Sequence, residues 1–390
     1  MTARRFDGWV PFRLYLQAGE PGVEWLYLGA NPFRDPFFEE TMYFAAQTPF
    51  NSLFRFRTPI EALAEWHALS PGLRPAGFVF HLSRCGSTLV TRMLASLPRN
   101  LVLSEPGVLD SILRSHARAP EAPPERRAMW LRWLVSALGQ PRTGLERRLF
   151  IKFDPRAILD FPLLRLAFPD VPWIFVYRNP VEVLVSNVRA PSLIVTRGIL
   201  RPADLTFDVS LLAGMDDSEY AARALGMVAE TAARHVAGAG GMPIEYAQLP
   251  DIAWGDLASH FGLELTPQDA DEMKQAAAFD AKHPDRRFAS DTETKRRQAT
   301  GRVRGLAEEW IAPHYARLEE IRAARASGFP TFRRFMLDHP ASLDRLRGLE
   351  RDAFLETALE LAAQAGIALD RSGIEKAIAE AHAERARRLL

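Results

Sequence analysis

The segment that most limits the possible folds is Gly77-Phe78-Val79-Phe80-His81-Leu82 followed at once by Ser83-Arg84-Cys85-Gly86-Ser87-Thr88. A nearly all-apolar run of this length suits a strand covered on both faces. Behind it Leu89, Val90, Met93, Leu94 and Leu97 recur at helical spacing. The pattern repeats downstream. Phe150-Ile151-Lys152-Phe153 and Trp173-Ile174-Phe175-Val176-Tyr177 read as strands, and the second runs into Arg178-Asn179-Pro180 and an apolar helix. Pro180 suits a first helical position, where its missing N–H would have no partner. A further strand is expected at 243–246. Strands alternating with helices predict an α/β domain around a mainly parallel sheet.

The flanks differ from this alternation. Residues 1–70 are aromatic-rich, with Phe33, Phe37, Phe38, Phe44, Phe50, Phe54 and Phe56 read as packing residues, a strand at 23–28 and a helix within 59–70. Pro71-Gly72 marks a boundary. The clearest helix spans 218–236, with Gly238 as its expected stop. Beyond Gly328-Phe329-Pro330 the composition becomes that of a small helical segment. A helix over 353–365 ends at Gly366, and Ser372 to Glu375 has capping-box spacing for a last one. The expected organisation is 1–70, 71–328 and 329–390.

Composition removes several function classes. Lys and Arg total 49 against 48 Asp and Glu, which argues against a protein that coats nucleic acid. One cysteine, Cys85, excludes an intramolecular disulfide framework and any multi-cysteine metal cluster. Asp7 and Pro11 interrupt any signal-like stretch, and no run of about 18 apolar residues suggests a membrane anchor. A cytoplasmic protein without a metal is expected.

The turn 83–88 carries the chemistry. A turn between a parallel strand and a helix aims backbone N–H groups and the helix N-terminus at one point, an arrangement suited to phosphate. Gly86 allows close approach, Ser87 and Thr88 supply hydroxyls, and Arg84 supplies a fixed cation. An ordinary βα turn built of small residues is the alternative. The loop is not a Walker A sequence, because no lysine precedes the Ser/Thr. Cys85 is read as a small loop residue more readily than as a reactive thiol, since no histidine partner is placed by sequence.

Ser83-Arg84-Cys85-Gly86-Ser87-Thr88-Leu89 resembles the 5′-phosphosulfate loop of sulfotransferases that use 3′-phosphoadenosine 5′-phosphosulfate (PAPS), in the arginine form of the protein-tyrosine and bacterial branches. Roughly 90 residues on, Arg178 at a strand end with Ser186 eight positions later resembles the family's 3′-phosphate motif. The alternative for Arg178 is a local pair with Glu182. The resemblance covers roughly 76–325. It implies a three-layer P-loop sulfotransferase-like fold around a central mainly parallel sheet, PAPS as co-substrate and no metal. Glu105, which lies 21 residues after Arg84 and is reached through Pro98, resembles the catalytic base of the tyrosine-sulfating enzymes. His116 is the second candidate. Lys152 resembles the lysine of their Lys-Asp-Pro segment, with Phe153 intervening; a Lys152–Asp154 surface pair is the alternative. Ser290, Lys295 and the glycine-rich basic stretch 301–305 resemble a late loop that closes over the nucleotide. The resemblance thus implies Glu105, Arg84 and Lys152 as the catalytic set. Arg84, Cys85, Gly86, Ser87, Thr88, Arg178, Ser186, Ser290 and Lys295 would bind the nucleotide.

The segment 331–383 is similar in apolar spacing to nitrogen-fixation-type leader peptide domains, which implies a peptide partner; a helical extension packed on the catalytic domain is the alternative. The acceptor is a hydroxyl of unidentified class, and loops 114–127 and 190–215 are the candidates for its pocket. A nucleotide-dependent kinase and a non-catalytic nucleotide- or peptide-binding protein are the competing functions. The first lacks the Walker lysine, and Glu105 and Lys152 argue against the second.

Overall fold

The computed structural model describes residues 6–17, 20–115, 121–200, 204–280, 287, 291–326, 328–367, 369 and 371–387. The chain separates into two compact units, Met1–Tyr315 and Ala316–Leu390.

The first unit opens with an antiparallel sheet of β1 (Trp9–Gln17), β2 (Glu20–Tyr27) and β3 (Phe56–Pro59), in that spatial order. Its core is aromatic: Phe6 lies 4.6 Å from Trp25 and 5.0 Å from Trp66, ring centre to ring centre. Of the seven phenylalanines read as packing residues, Phe38 is buried, Phe33, Phe37 and Phe56 are half-buried, and Phe44, Phe50 and Phe54 are exposed. The buried Trp25 indole donates to Thr58 Oγ1, so its N–H is not left unsatisfied.

The second sheet organises the unit. β4 (Pro75–His81), β5 (Asn100–Ser104), β6 (Arg148–Lys152), β7 (Trp173–Tyr177) and β8 (Met242–Glu245) lie in the order β5-β6-β4-β7-β8, and every pairing is parallel. The fold is therefore α/β, with a five-stranded parallel sheet where a mainly parallel one was expected. All five residues of β7 are buried, which accounts for its unbroken apolar sequence. From β4 the chain winds first toward β5 and β6, then crosses to β7 and β8. This reversal puts the crevice at the carboxyl ends of β4 and β7, where open parallel sheets take ligands.

Local details depart from the sequence reading. β1, β5 and the helix Gly107–Leu113 have no counterpart in the expected elements; the apolar run of β5 is only three residues, Leu101 to Leu103. The long helix runs Asp217–Ala239 and passes through Gly238. It stops at Gly240, which adopts the left-handed conformation with φ +74°. Stretch 301–305 is not a loop: it opens the helix Gly301–Trp310, capped by Thr300.

The second unit has its own core. Phe332, Met336, Leu346, Leu355, Ala358, Leu361, Ala362 and Ile374 are buried together, with Phe335 and Leu343 packed on them. Leu337 is exposed. The last helix starts at Arg371, so Ser372 lies inside it and is not its cap.

Candidate functional site

A cavity of about 760 Å³ opens at the carboxyl ends of β4 and β7. Residues 83–88, Glu105, Lys152, Arg178, Ser186 and Lys295 all line it, although they come from segments far apart in sequence. Two sequence candidates, His116 and Ser290, lie outside the described residues.

The turn after β4 is held in a conformation that few side chains adopt. Ser83 and Arg84 have φ of +69° and +49°, and Gly86 has +90°. Such backbone persists where its surroundings over-determine it, and here the contacts of three side chains do so. Ser83 Oγ donates to Asn187 Oδ1 at 3.2 Å and lies 3.0 Å from Ser192 Oγ, fixing the loop to the helix Pro180–Arg189 and the chain beyond it. The Cys85 thiol donates to the Val176 carbonyl of β7. Burial pushes that thiol up to about 11, so it is a packing group and not a thiolate. Arg84 Nη2 donates to the Ala190 carbonyl at 2.7 Å. Gly86 caps the helix Ser87–Ala95, and a Cβ on it would stand 2.7 Å from the Tyr246 ring.

At the opposite sheet edge β5 and β6 bring a carboxylate and an ammonium together. Their register places Ser104 opposite Lys152, and Glu105 N–H donates to the Lys152 carbonyl at 2.7 Å. Glu105 also has a left-handed backbone, φ +54°. Its Oε1 lies 2.5 Å from Lys152 Nζ. The Lys152 side chain is 1% exposed, and its ammonium also donates to Thr88 Oγ1 at 3.3 Å and sits 4.9 Å over the Phe37 ring. Lys152 thus pairs with Glu105, not with Asp154. Asp154 instead accepts from Arg156 Nε at 2.6 Å, and Arg156 Nη2 donates to Asp110 at 2.7 Å. That network ties the helix following Glu105 to the chain leaving β6. From the N-terminal side, Glu39 accepts the Gly107 N–H at 3.0 Å.

His81, the last residue of β4, completes this corner. Its Nδ1 accepts the Ser83 N–H at 3.2 Å, and Nε2 lies 3.2 Å from Glu105 Oε1 without the alignment of a full hydrogen bond. Burial opposes charge on Glu105, but Lys152 and His81 together outweigh it and hold the carboxyl well below the usual range. Burial first, and then Lys152, push His81 down, toward the neutral form.

At the end of β7, Arg178 is 3% exposed, and its guanidinium stacks 3.9 Å from the Tyr246 ring centre. Nε donates to Glu182 at 2.6 Å, so the local pair read as the alternative is formed. Nη2 donates to Asp291 Oδ1 at 2.8 Å and Thr292 Oγ1 at 3.0 Å. Asp291 also meets Lys295 Nζ at 2.8 Å, and Glu182 meets Arg296 at 2.7 Å. Three cations face two carboxylates, leaving a positive excess beside Ser186.

Sequence reasoning passed over His81, Phe37, Tyr246 and Asp291. A polar residue in the apolar run of β4 was a signal for His81; the others show no local signal, because they reach the cavity from distant segments.

No family model matches the chain, and no curated protein does. Among solved structures, a sulfotransferase from Mycobacterium avium is 16% identical, covering 66% of this chain and 79% of that one with a TM-score of 0.42. A sulfotransferase from Alicyclobacillus acidocaldarius is also 16% identical, covering 64% and 96% with a TM-score of 0.37.

Proposed function

We propose that the protein moves a sulfuryl group from PAPS to an acceptor hydroxyl. The observation that carries this reading is the meeting of Glu105 and Lys152 against the 83–88 turn, in the cavity that Arg178 and Ser186 also line. A phosphosulfate needs donors and cations at the turn. A 3′-phosphate needs a second cationic point, and transfer needs a base near the first.

In this reading the acceptor oxygen attacks sulfur while its proton passes to Glu105. The bond from sulfur to the bridging oxygen breaks, and the electron pair leaves with adenosine 3′,5′-bisphosphate. Arg84, Ser87, Thr88 and Lys152 oppose the charge that develops on the transferring group and the leaving phosphate. Cys85 and Gly86 contribute backbone. Arg178, Ser186 and Lys295 take the 3′-phosphate. Lys152 has a second consequence: while paired with Glu105 it makes that carboxylate a weak base. Drawing the ammonium toward a phosphosulfate would raise the carboxylate's basicity when it is needed.

The loop arginine resembles that of the protein-tyrosine and bacterial branches, and Glu105 and Lys152 resemble residues of the tyrosine-sulfating enzymes. The leader-like pattern of the C-terminal unit makes a peptide the acceptor class to test first. The deciding experiment is labelled PAPS with peptide, phenol, sugar and lipid acceptors, alongside magnesium-free calorimetry of adenosine 3′,5′-bisphosphate and AMP. Transfer to one acceptor, with the bisphosphate bound at least tenfold more tightly than AMP, is expected from a charged bidentate contact of roughly 1.5–3 kcal/mol. Equal affinities would defeat the assignment of Arg178.

A further inference from the structure

We propose that His81 is a positioning residue for Glu105, carrying its proton on Nε2 and holding the carboxylate oxygen Oε1 while Lys152 serves the transferring group. The inference rests on the reading of Glu105 as the base.

Four observations carry it. His81 is 4% exposed and the only polar residue in the stretch 77–82, between Phe80 and Leu82. A buried imidazole has two polar atoms to satisfy, and an apolar residue would fill this strand position without that cost. Nδ1 accepts a backbone N–H from Ser83, which places the proton on Nε2 by elimination. Nε2 has Glu105 Oε1 as its near polar neighbour at 3.2 Å and makes no full hydrogen bond among the described residues. Contacts of this kind are often long before substrate binds and tighten afterwards.

The geometry gives the imidazole a specific task. Oε1 is the carboxylate oxygen nearest to both Lys152 Nζ, at 2.5 Å, and His81 Nε2, at 3.2 Å. In the proposal Oε2 takes the proton, while Oε1 serves as the hinge. If Lys152 turns to the phosphosulfate, His81 is the remaining tether on Oε1. The same ring accepts the Ser83 N–H, so it bridges the first residue of the 83–88 turn and the proposed base.

The titratable groups facing His81 are Glu105 after β5, Lys152 on β6 and Asp154 beyond it. Losing the Nε2–H removes a donor from the Glu105 carboxylate, so the base becomes easier to protonate. The acid limb of the pH–rate profile must therefore move to higher pH.

The test uses the full-length protein and has two arms. In the first, imidazole ¹⁵N spectra are recorded between pH 6 and 8 for wild type and Glu105→Gln. The expected result is a neutral Nε2–H tautomer for His81 whose shift changes in the variant. A proton on Nδ1, or indifference to Glu105→Gln, overturns the proposal. In the second arm, His81→Leu is expected to lose on the order of tenfold in kcat, with bisphosphate affinity within about twofold and the acid limb moved upward. His81→Gln, which keeps an N–H near the Nε2 position, should recover most of the loss. Unchanged kcat and pH profile in His81→Leu would overturn the idea; if that variant does not fold, the spectra and the Gln variant decide. Absence of sulfuryl transfer in wild type would remove the proposed function, and the first arm would still report on His81.

Discussion

Replacing Lys152 by methionine tests the central pair without assuming any reaction. The side chain is 1% exposed and its ammonium lies 2.5 Å from Glu105, whose side chain is 22% exposed. Removing one partner of a fully buried pair costs about 3–5 kcal/mol, because the other charge is left uncompensated. Solvent still reaches part of Glu105, so a loss of about 2–3 kcal/mol at pH 7 is expected. All eight tryptophans lie between positions 9 and 310, so fluorescence-monitored urea unfolding reports on the first unit alone. A cycle of Lys152→Met, Glu105→Gln and the double variant isolates the pair. The sign with pH follows from the direction of the Glu105 shift. Its folded carboxyl is held below the ordinary value of 4.5, so its stabilising contribution is complete above that pH and is lost as pH falls below it. In Lys152→Met burial acts on Glu105 with His81 as the remaining opposing neighbour, and the stability gap to wild type should narrow on acidification as the carboxyl protonates. A coupling energy below about 0.5 kcal/mol at pH 7 would refute the reasoning.

Glu105→Gln should keep bisphosphate affinity within about twofold and lose on the order of 100-fold or more in transfer rate; a wild-type rate would reopen the search at His116. Asp291 occupies Arg178 and Lys295, so Asp291→Asn should raise bisphosphate affinity roughly fivefold in calorimetry, and a weaker complex would show that Asp291 orders Arg178 instead of competing for it. Gly86→Ala introduces a side chain at φ +90° against the Tyr246 ring, on which Arg178 stacks. A melting experiment should show a loss of about 1–3 kcal/mol, and titration a bisphosphate affinity at least tenfold weaker. Truncation after Ala326 removes a segment with its own core, so a folded, bisphosphate-binding product that has lost only acceptor transfer is expected. An insoluble product would mean that the segment supports the rest.

What could be read from the sequence follows the range of the interactions involved. β4, β7 and the turn 83–88 are legible because their signals are local: a buried parallel strand needs a continuous apolar run, and a tight phosphate-type turn needs glycine and small residues. β5 is illegible for the same reason in reverse. Its apolar run is only Leu101-Val102-Leu103, between Asn100 and Ser104, and the strand exists because β6 supplies its hydrogen bonds. Without β5 nothing local in the sequence places Glu105. It is the first residue beyond a strand, with its backbone N–H bound to Lys152.

The charged residues show the limit more sharply. An ammonium in an apolar strand must find a counter-charge, and that requirement is visible in Phe150-Ile151-Lys152-Phe153. Which carboxylate answers it is not visible: Asp154 is two residues away, but β6 ends at Lys152, and beyond that end Asp154 is taken by Arg156. Strand order decides the matter by setting Ser104 beside Lys152 and bringing Glu105 within 2.5 Å. Arg178 is the opposite case. Its partner Glu182 follows from i, i+4 spacing on one helix start, so the local pair forms, and Asp291 and Thr292 arrive from more than a hundred residues away to complete its coordination. Local pairing and ligand binding are therefore not exclusive readings of one arginine. A guanidinium has five N–H donors, and Glu182, by holding Nε, fixes the plane in which Nη2 meets Asp291 and, in the proposed reading, would meet an incoming phosphate.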